Sequence, residues 1–251
     1  MNGEVYQLCS LVVAAKVALR DKTEIKYIPL KYEKTFEFRF LEGQTIVQSV
    51  KEWFNTCIRH GMVDIKCLMP LEVKDRGILG FSNTNQSSIV CFYKDESVRY
   101  FVAKWSFDAD KKGWNIVYEE YNWADHPKGK PVFYNNSTQF TKILEEIKEF
   151  AILIGFGEGF GKKFQKASNI LNGKYDYSKD EHRLPMLNLP VPFLNIFMAA
   201  SEADVFGAMG SWNDSPPWYA HEKGLDKEYN TLSAELLKQM RLAILYAVNE
   251  F

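Results

Sequence analysis

Residues 210–222, Gly-Ser-Trp-Asn-Asp-Ser-Pro-Pro-Trp-Tyr-Ala-His-Glu, hold the densest collection of chemically capable side chains in the sequence. A histidine beside carboxylates is the minimal set for proton transfer, so a chemical reading takes His221 as general base or acid, oriented by Asp214 or Glu222. A binding reading takes the aromatic members, Trp212, Trp218 and Tyr219, as contact residues on a loop between helices, joined by Trp123 from the middle of the chain. A structural reading is as concrete: Asp214 or Ser215 caps a short helix, Pro216 fills its first turn, and Trp218 and Tyr219 anchor the segment on the core. Ser211 and Ser215 sit in no nucleophile-elbow pattern, so no nucleophile is implied.

The other histidines lie in polar loops, Asp125-His126 and Asp180-Glu181-His182. No two histidines stand three or four residues apart, which leaves no local metal motif; a site would have to be assembled from distant residues such as His126, His182 and His221. The glycine run Gly155-Phe156-Gly157-Glu158-Gly159-Phe160-Gly161 invites comparison with phosphate loops. It follows a helical stretch rather than a strand, lacks the lysine and hydroxyl of a P-loop and carries a glutamate at its centre, so it reads as a helix–helix corner. No cofactor and no metal is implied.

These candidates must be positioned by 251 residues of ordinary globular composition, 46% hydrophobic and 25% charged. The 18 Phe, 13 Tyr and 6 Trp form an unusually large aromatic share, most of which must be buried to keep the chain from aggregating. With 31 basic against 32 acidic residues there is no general electrostatic grip on nucleic acid or anionic membrane. Cys9, Cys57, Cys67 and Cys91 are widely spaced among apolar neighbours and read as buried free thiols, which fits a reducing compartment. Residues 8–19 are apolar, but Glu4 precedes them and Lys16 interrupts them, so a signal peptide is not expected. No run of about 18 apolar residues exists to span a membrane, and a cytoplasmic location is expected.

Periodicity then assigns the elements. Val5, Leu8, Val12, Ala15 and Leu19 step by three and four, which predicts a first helix. Leu30, Tyr32, Phe36, Phe38 and Phe40 alternate as a strand or hairpin. Thr45 is the expected cap of a helix carrying Ile46, Val50, Trp53, Phe54 and Cys57 and ending near Gly61. Strands are predicted over 63–69, 89–93, 98–107 and 114–121, the last three separated by turn chemistry short enough for an antiparallel meander, with a further short strand over 132–134. From Thr138, the expected cap, the pattern turns helical: helices over 138–154, 159–171 and 193–206, and a last one from Tyr229 nearly to Phe251.

The fold expected is α+β, an antiparallel meander sheet packed with helices, with 1–135 sheet-rich, 136–251 helical and one compact domain throughout. The meander carries Tyr100, Trp105, Trp114, Tyr118, Tyr121 and Trp123; one face must pack on helices, and a second left open would make a recognition surface. The interleaved Asp108, Glu119 and Glu120 argue against nucleic acid there. Two functions remain in competition: a non-enzymatic protein-binding or regulatory module, and a hydrolase-type enzyme with a pocket near residues 211–222.

Overall fold

The structure, a computed structural model, describes residues 1–41, 45–176 and 185–251. Among the described residues the order is α1 (Gly3–Asp21), β1 (Glu33–Arg39), β2 (Ile46–Val47), α2 (Val50–Arg59), β3 (Met62–Leu68), β4 (Ser88–Tyr93), β5 (Val98–Asp108), β6 (Gly113–Asn122), then α3 (Ser137–Leu153), α4 (Lys162–Leu171), α5 (Val191–Ala203), α6 (Pro216–Glu222) and α7 (Asp226–Asn249). The class is α+β, as expected. No helix is long and apolar enough to cross a membrane among the described residues. The chain divides into two compact units: a sheet unit of Glu4–Met69 and Asn85–Pro131, and a helical unit of Met1–Gly3, Pro70–Thr84 and Val132–Phe251.

In the sheet unit the six strands run β2-β1-β6-β5-β4-β3. Neighbours from β3 to β6 are antiparallel and consecutive, so that part is a meander. The all-antiparallel expectation is corrected at β1, which lies parallel to β6 with Phe38 opposite Tyr118. Alternation fixes which face a side chain takes and is the same for either strand direction, so the sequence pattern could not separate the two pairings. Phe38 stacks on Tyr118 at 5.1 Å and on Trp53 of α2 at 5.0 Å, while the Tyr118 hydroxyl donates to Oε1 of Gln7 in α1 at 2.5 Å. Helices α1 and α2 therefore cover the same sheet face. The four cysteines are buried there as free thiols, and burial pushes the Cys9 and Cys91 thiols up, each further raised by a partner thiol, Cys67 and Cys57 respectively.

Several boundaries move from their predicted places for local reasons. Helix α2 starts at Val50, not after Thr45, because Ser49 and Glu52 form a capping pair: Ser49 Oγ accepts the Glu52 N–H at 3.2 Å, and Glu52 Oε2 accepts from Ser49 Oγ at 3.0 Å. That leaves Ile46 and Val47 free to pair with Arg39 and Phe38 as β2. Residues 132–134 form no strand. Helix α3 begins one residue before Thr138, with Asn135 Oδ1 accepting the Ser137 N–H at 2.9 Å. The glycine run is the expected corner. Gly155 ends α3 at φ +92°, and Gly157–Gly161 form one wide π turn before α4 starts at Lys162.

Glu33 at the head of β1 is buried, accepting from the Tyr27 hydroxyl at 2.8 Å and the Leu30 N–H at 2.9 Å through Oε2. Its Oε1 is buried with no partner, and burial raises its pKa against those two hydrogen bonds. A carboxyl raised in the folded state contributes stability that is fully present below its unfolded pKa and is lost as pH rises through the folded one. Glu33→Gln is accordingly expected to be most favourable relative to the parent at neutral pH, with that advantage shrinking toward pH 4. Paired urea titrations across this range measure it; a difference independent of pH would show that Glu33 does not titrate abnormally.

Candidate functional site

The 204–215 loop is pinned by its own polar groups. Gly210, at φ +78°, gives its N–H to Asp214 Oδ2 at 2.8 Å, Ser211 Oγ donates to the Gly207 carbonyl at 2.8 Å, and Asn213 Nδ2 donates to the Arg76 carbonyl at 2.8 Å. A short 3-10 turn, Arg76–Gly80, lies against this loop so closely that a Cβ at Gly80 would strike the backbone of Gly207 and Ala208. The loop is thus held rigidly between that turn and α7.

This geometry separates residues that the sequence grouped. Trp212, assigned by composition to the binding surface, is fully buried: it stacks on Tyr229 at 5.7 Å, meets Phe160 and Phe164 edge-on at 5.2 and 5.5 Å, and donates from Nε1 to Ser233 Oγ at 2.8 Å. It is a core residue. Trp218 and Tyr219 take the opposite fate on α6, 57% and 44% exposed. Ser215 precedes Pro216 without a side-chain cap bond.

His221 is exposed at the end of α6, with Nδ1 3.1 Å from Oδ1 of Asp226. Its carboxylate partner is therefore Asp226, which sequence reasoning missed; Asp214 holds the Gly210 turn, and Glu222 is exposed. The pairing arises because Gly224, at φ +69°, stops α6 and turns the chain so that the first residue of α7 comes back to the histidine. Asp226 also lines a polar concavity of about 330 Å3 with Arg76, Asn213, Tyr229 and Asn230. Arg76 Nη2 donates to Asn230 Oδ1 at 2.9 Å there, and burial raises the Tyr229 phenol against a hydrogen bond with Ser233 and the charge of Arg76.

Trp218 and Tyr219 do not stand alone. Their rings meet at 4.9 Å, Tyr219 meets Phe156 at 5.1 Å, and Phe156 meets Phe160 at 5.9 Å, which in turn rests on the buried Trp212. Ile152, 55% exposed, borders this row at the glycine corner. A continuous apolar surface thus runs from α6 to the α3–α4 corner. Ile152 and Leu153 fall outside the buried face of α3, which is made by Phe140, Ile143, Leu144, Ile147, Phe150 and Ala151, and are therefore exposed apolar side chains.

Trp123 belongs to the sheet unit, just beyond β6, where its N–H bonds the Val98 carbonyl at 2.9 Å. Its ring and that of Tyr100, 6.4 Å apart, pack with Leu68 on Val90, Phe92 and Val98, on the sheet face opposite α1 and α2. The 125–131 loop folds over this cluster and leaves a cavity of about 130 Å3. Among the described residues no three His, Cys, Asp or Glu side chains gather as metal ligands; Asp180, Glu181 and His182 lie outside the described residues. No protein-family model, no curated protein and no solved structure matches the chain.

Proposed function

We propose that this chain is a non-enzymatic protein-binding module that engages its partner through the aromatic row of Trp218, Tyr219, Phe156 and Phe160. The observation that supports it is the continuity of four rings on one surface, two of them about half exposed, bordered by exposed Ile152. Contiguous apolar surface of this kind is rare on monomers without a partner, and Trp and Tyr supply much contact area at low entropic cost. The row is backed by the Trp212 core, so it needs no rearrangement before docking.

Because both α6 rings are about half exposed, the double substitution Trp218→Ser/Tyr219→Ser is expected to change stability by about 1 kcal/mol. Cross-linking in the native cell followed by affinity capture should recover a partner with the parent protein and lose it with this variant. A partner set unchanged by the variant would remove the row from the interface.

One observation favours a hydrolase reading, the His221–Asp226 pair at the edge of the polar concavity. Its imidazole side chain is 69% exposed, so bulk water competes for any proton it would move and weakens the electrostatic effect of its partner. A screen against chromogenic esters and phosphoesters decides between the readings: turnover abolished by His221→Ala would favour the enzyme, whereas the binding module gives no turnover dependent on His221.

A further inference from the structure

The cavity beneath the 125–131 loop combines two features that answer different parts of one ligand. Its floor is apolar, made by Leu68, Phe92 and Trp123. Its rim is basic, made by His126, Lys128 and Lys130, and no carboxylate lines it. This local charge stands out in a chain whose net charge is −1.

The rim is fixed at one point and free at another. Lys130 Nζ is 2.9 Å from Asp64 Oδ2 on β3 and lies over the Phe92 ring, 5.6 Å from its centroid. That ion pair ties the loop down across the sheet. Lys128 has no carboxylate partner among the described residues and is exposed at the mouth. An ammonium left unpaired beside apolar surface attracts an anion, and a charge-assisted contact there gains from the low polarity of the floor.

We infer that this cavity is a binding site for a small aromatic carboxylate, its ring on Leu68, Phe92 and Trp123 and its carboxylate at Lys128. The size supports the class: apolar cavities of about 150 Å3 accept a benzene ring, and this one is about 130 Å3. A nucleotide or an extended peptide is too large for it, and a small inorganic anion would leave the aromatic floor bare. Trp123 gives the ring a broad face, stabilised by its own packing on Tyr100. With so few ligand atoms the affinity is expected in the millimolar range.

The test uses benzoate as probe and the indole N–H spectrum of the full chain, which holds six tryptophans. Benzoate should shift the Trp123 signal saturably, the signal being identified by its absence in Trp123→Phe. Lys128→Glu should weaken binding by fivefold or more while leaving the other five indole signals in place. Benzylamine reverses the charge, acetate omits the ring, and N-acetylphenylalaninamide presents a ring without a charge; none should saturate at the same concentrations. An unmoved Trp123 signal, equal binding of benzylamine or of the uncharged amide, or an affinity indifferent to Lys128→Glu would each overturn the assignment.

Discussion

Trp212→Ala is expected to lower the free energy of unfolding by about 3–5 kcal/mol, the range for removing a large aromatic ring from a packed core. The ring is fully buried and makes contacts with α4, α7 and the glycine corner, so no single neighbour can collapse into the space. The indole also satisfies the hydroxyl of Ser233, itself fully buried. Trp212→Phe keeps most of the packing and loses that bond, and should cost about 1–2 kcal/mol. Urea unfolding followed by circular dichroism measures both, as a fall in midpoint with the slope retained. A loss below about 1 kcal/mol for the alanine variant would mean that the 204–215 loop is not docked as described.

The second large effect lies in the sheet unit, at Arg99 and Glu120. The Glu120 side chain is fully buried and that of Arg99 nearly so, with Nη1 3.8 Å from Oε1. Glu120 Oε2 accepts the Leu41 N–H at 2.9 Å, which ties the chain leaving β1 to the neighbouring strand. Arg99→Leu takes this cation away from a buried carboxylate and is expected to cost about 3–5 kcal/mol. Adding Glu120→Gln removes the buried negative charge while retaining an acceptor for Leu41, so the double variant should regain much of the loss. Loss of the nearby cation disfavours the charged form of a buried carboxyl, so the single variant should also recover stability relative to the parent as pH falls. Urea midpoints for the four proteins across pH 4–8 give the coupling; additive effects would show that the two side chains do not interact.

The parts of the fold that were legible in the sequence are those in which one periodicity runs unbroken. Of the step through Tyr229, Leu232, Leu236, Met240, Ala243, Ala247 and Phe251, all but the half-buried Leu232 and Phe251, which lies beyond the helix, are on the buried side of α7, and the turn chemistry after Tyr93 and Phe107 falls at the hairpins of the meander. Loops escaped that reading. Trp212 and Trp218 are six residues apart in one aromatic stretch, yet one is in the core and the other in solvent, because no repeat relates them and only the turn at Gly210 and the start of α6 decide their directions. His221 stands out in the sequence, but its carboxylate partner lies outside its own segment, across a helix corner at Asp226. Lys130 and Asp64 likewise meet through the sheet, between residues whose separation in the chain gives no local sign of contact.

The parallel pairing of β1 with β6 sets an order of events in folding. Thr35 and Asn115, which share a hydrogen bond across that pair, are 80 residues apart, whereas β4, β5 and β6 are joined by short turns. Closing the longer loop costs more chain entropy before any contact returns it, so the hairpins can form early and β1 must wait. During synthesis Phe36, Phe38 and Phe40 leave the ribosome before β6, the strand that pairs along one edge of β1, exists. For that interval the Phe-rich segment keeps one edge without its strand partner, and the time the chain spends making the next eighty residues is the period in which it most needs protection from its neighbours.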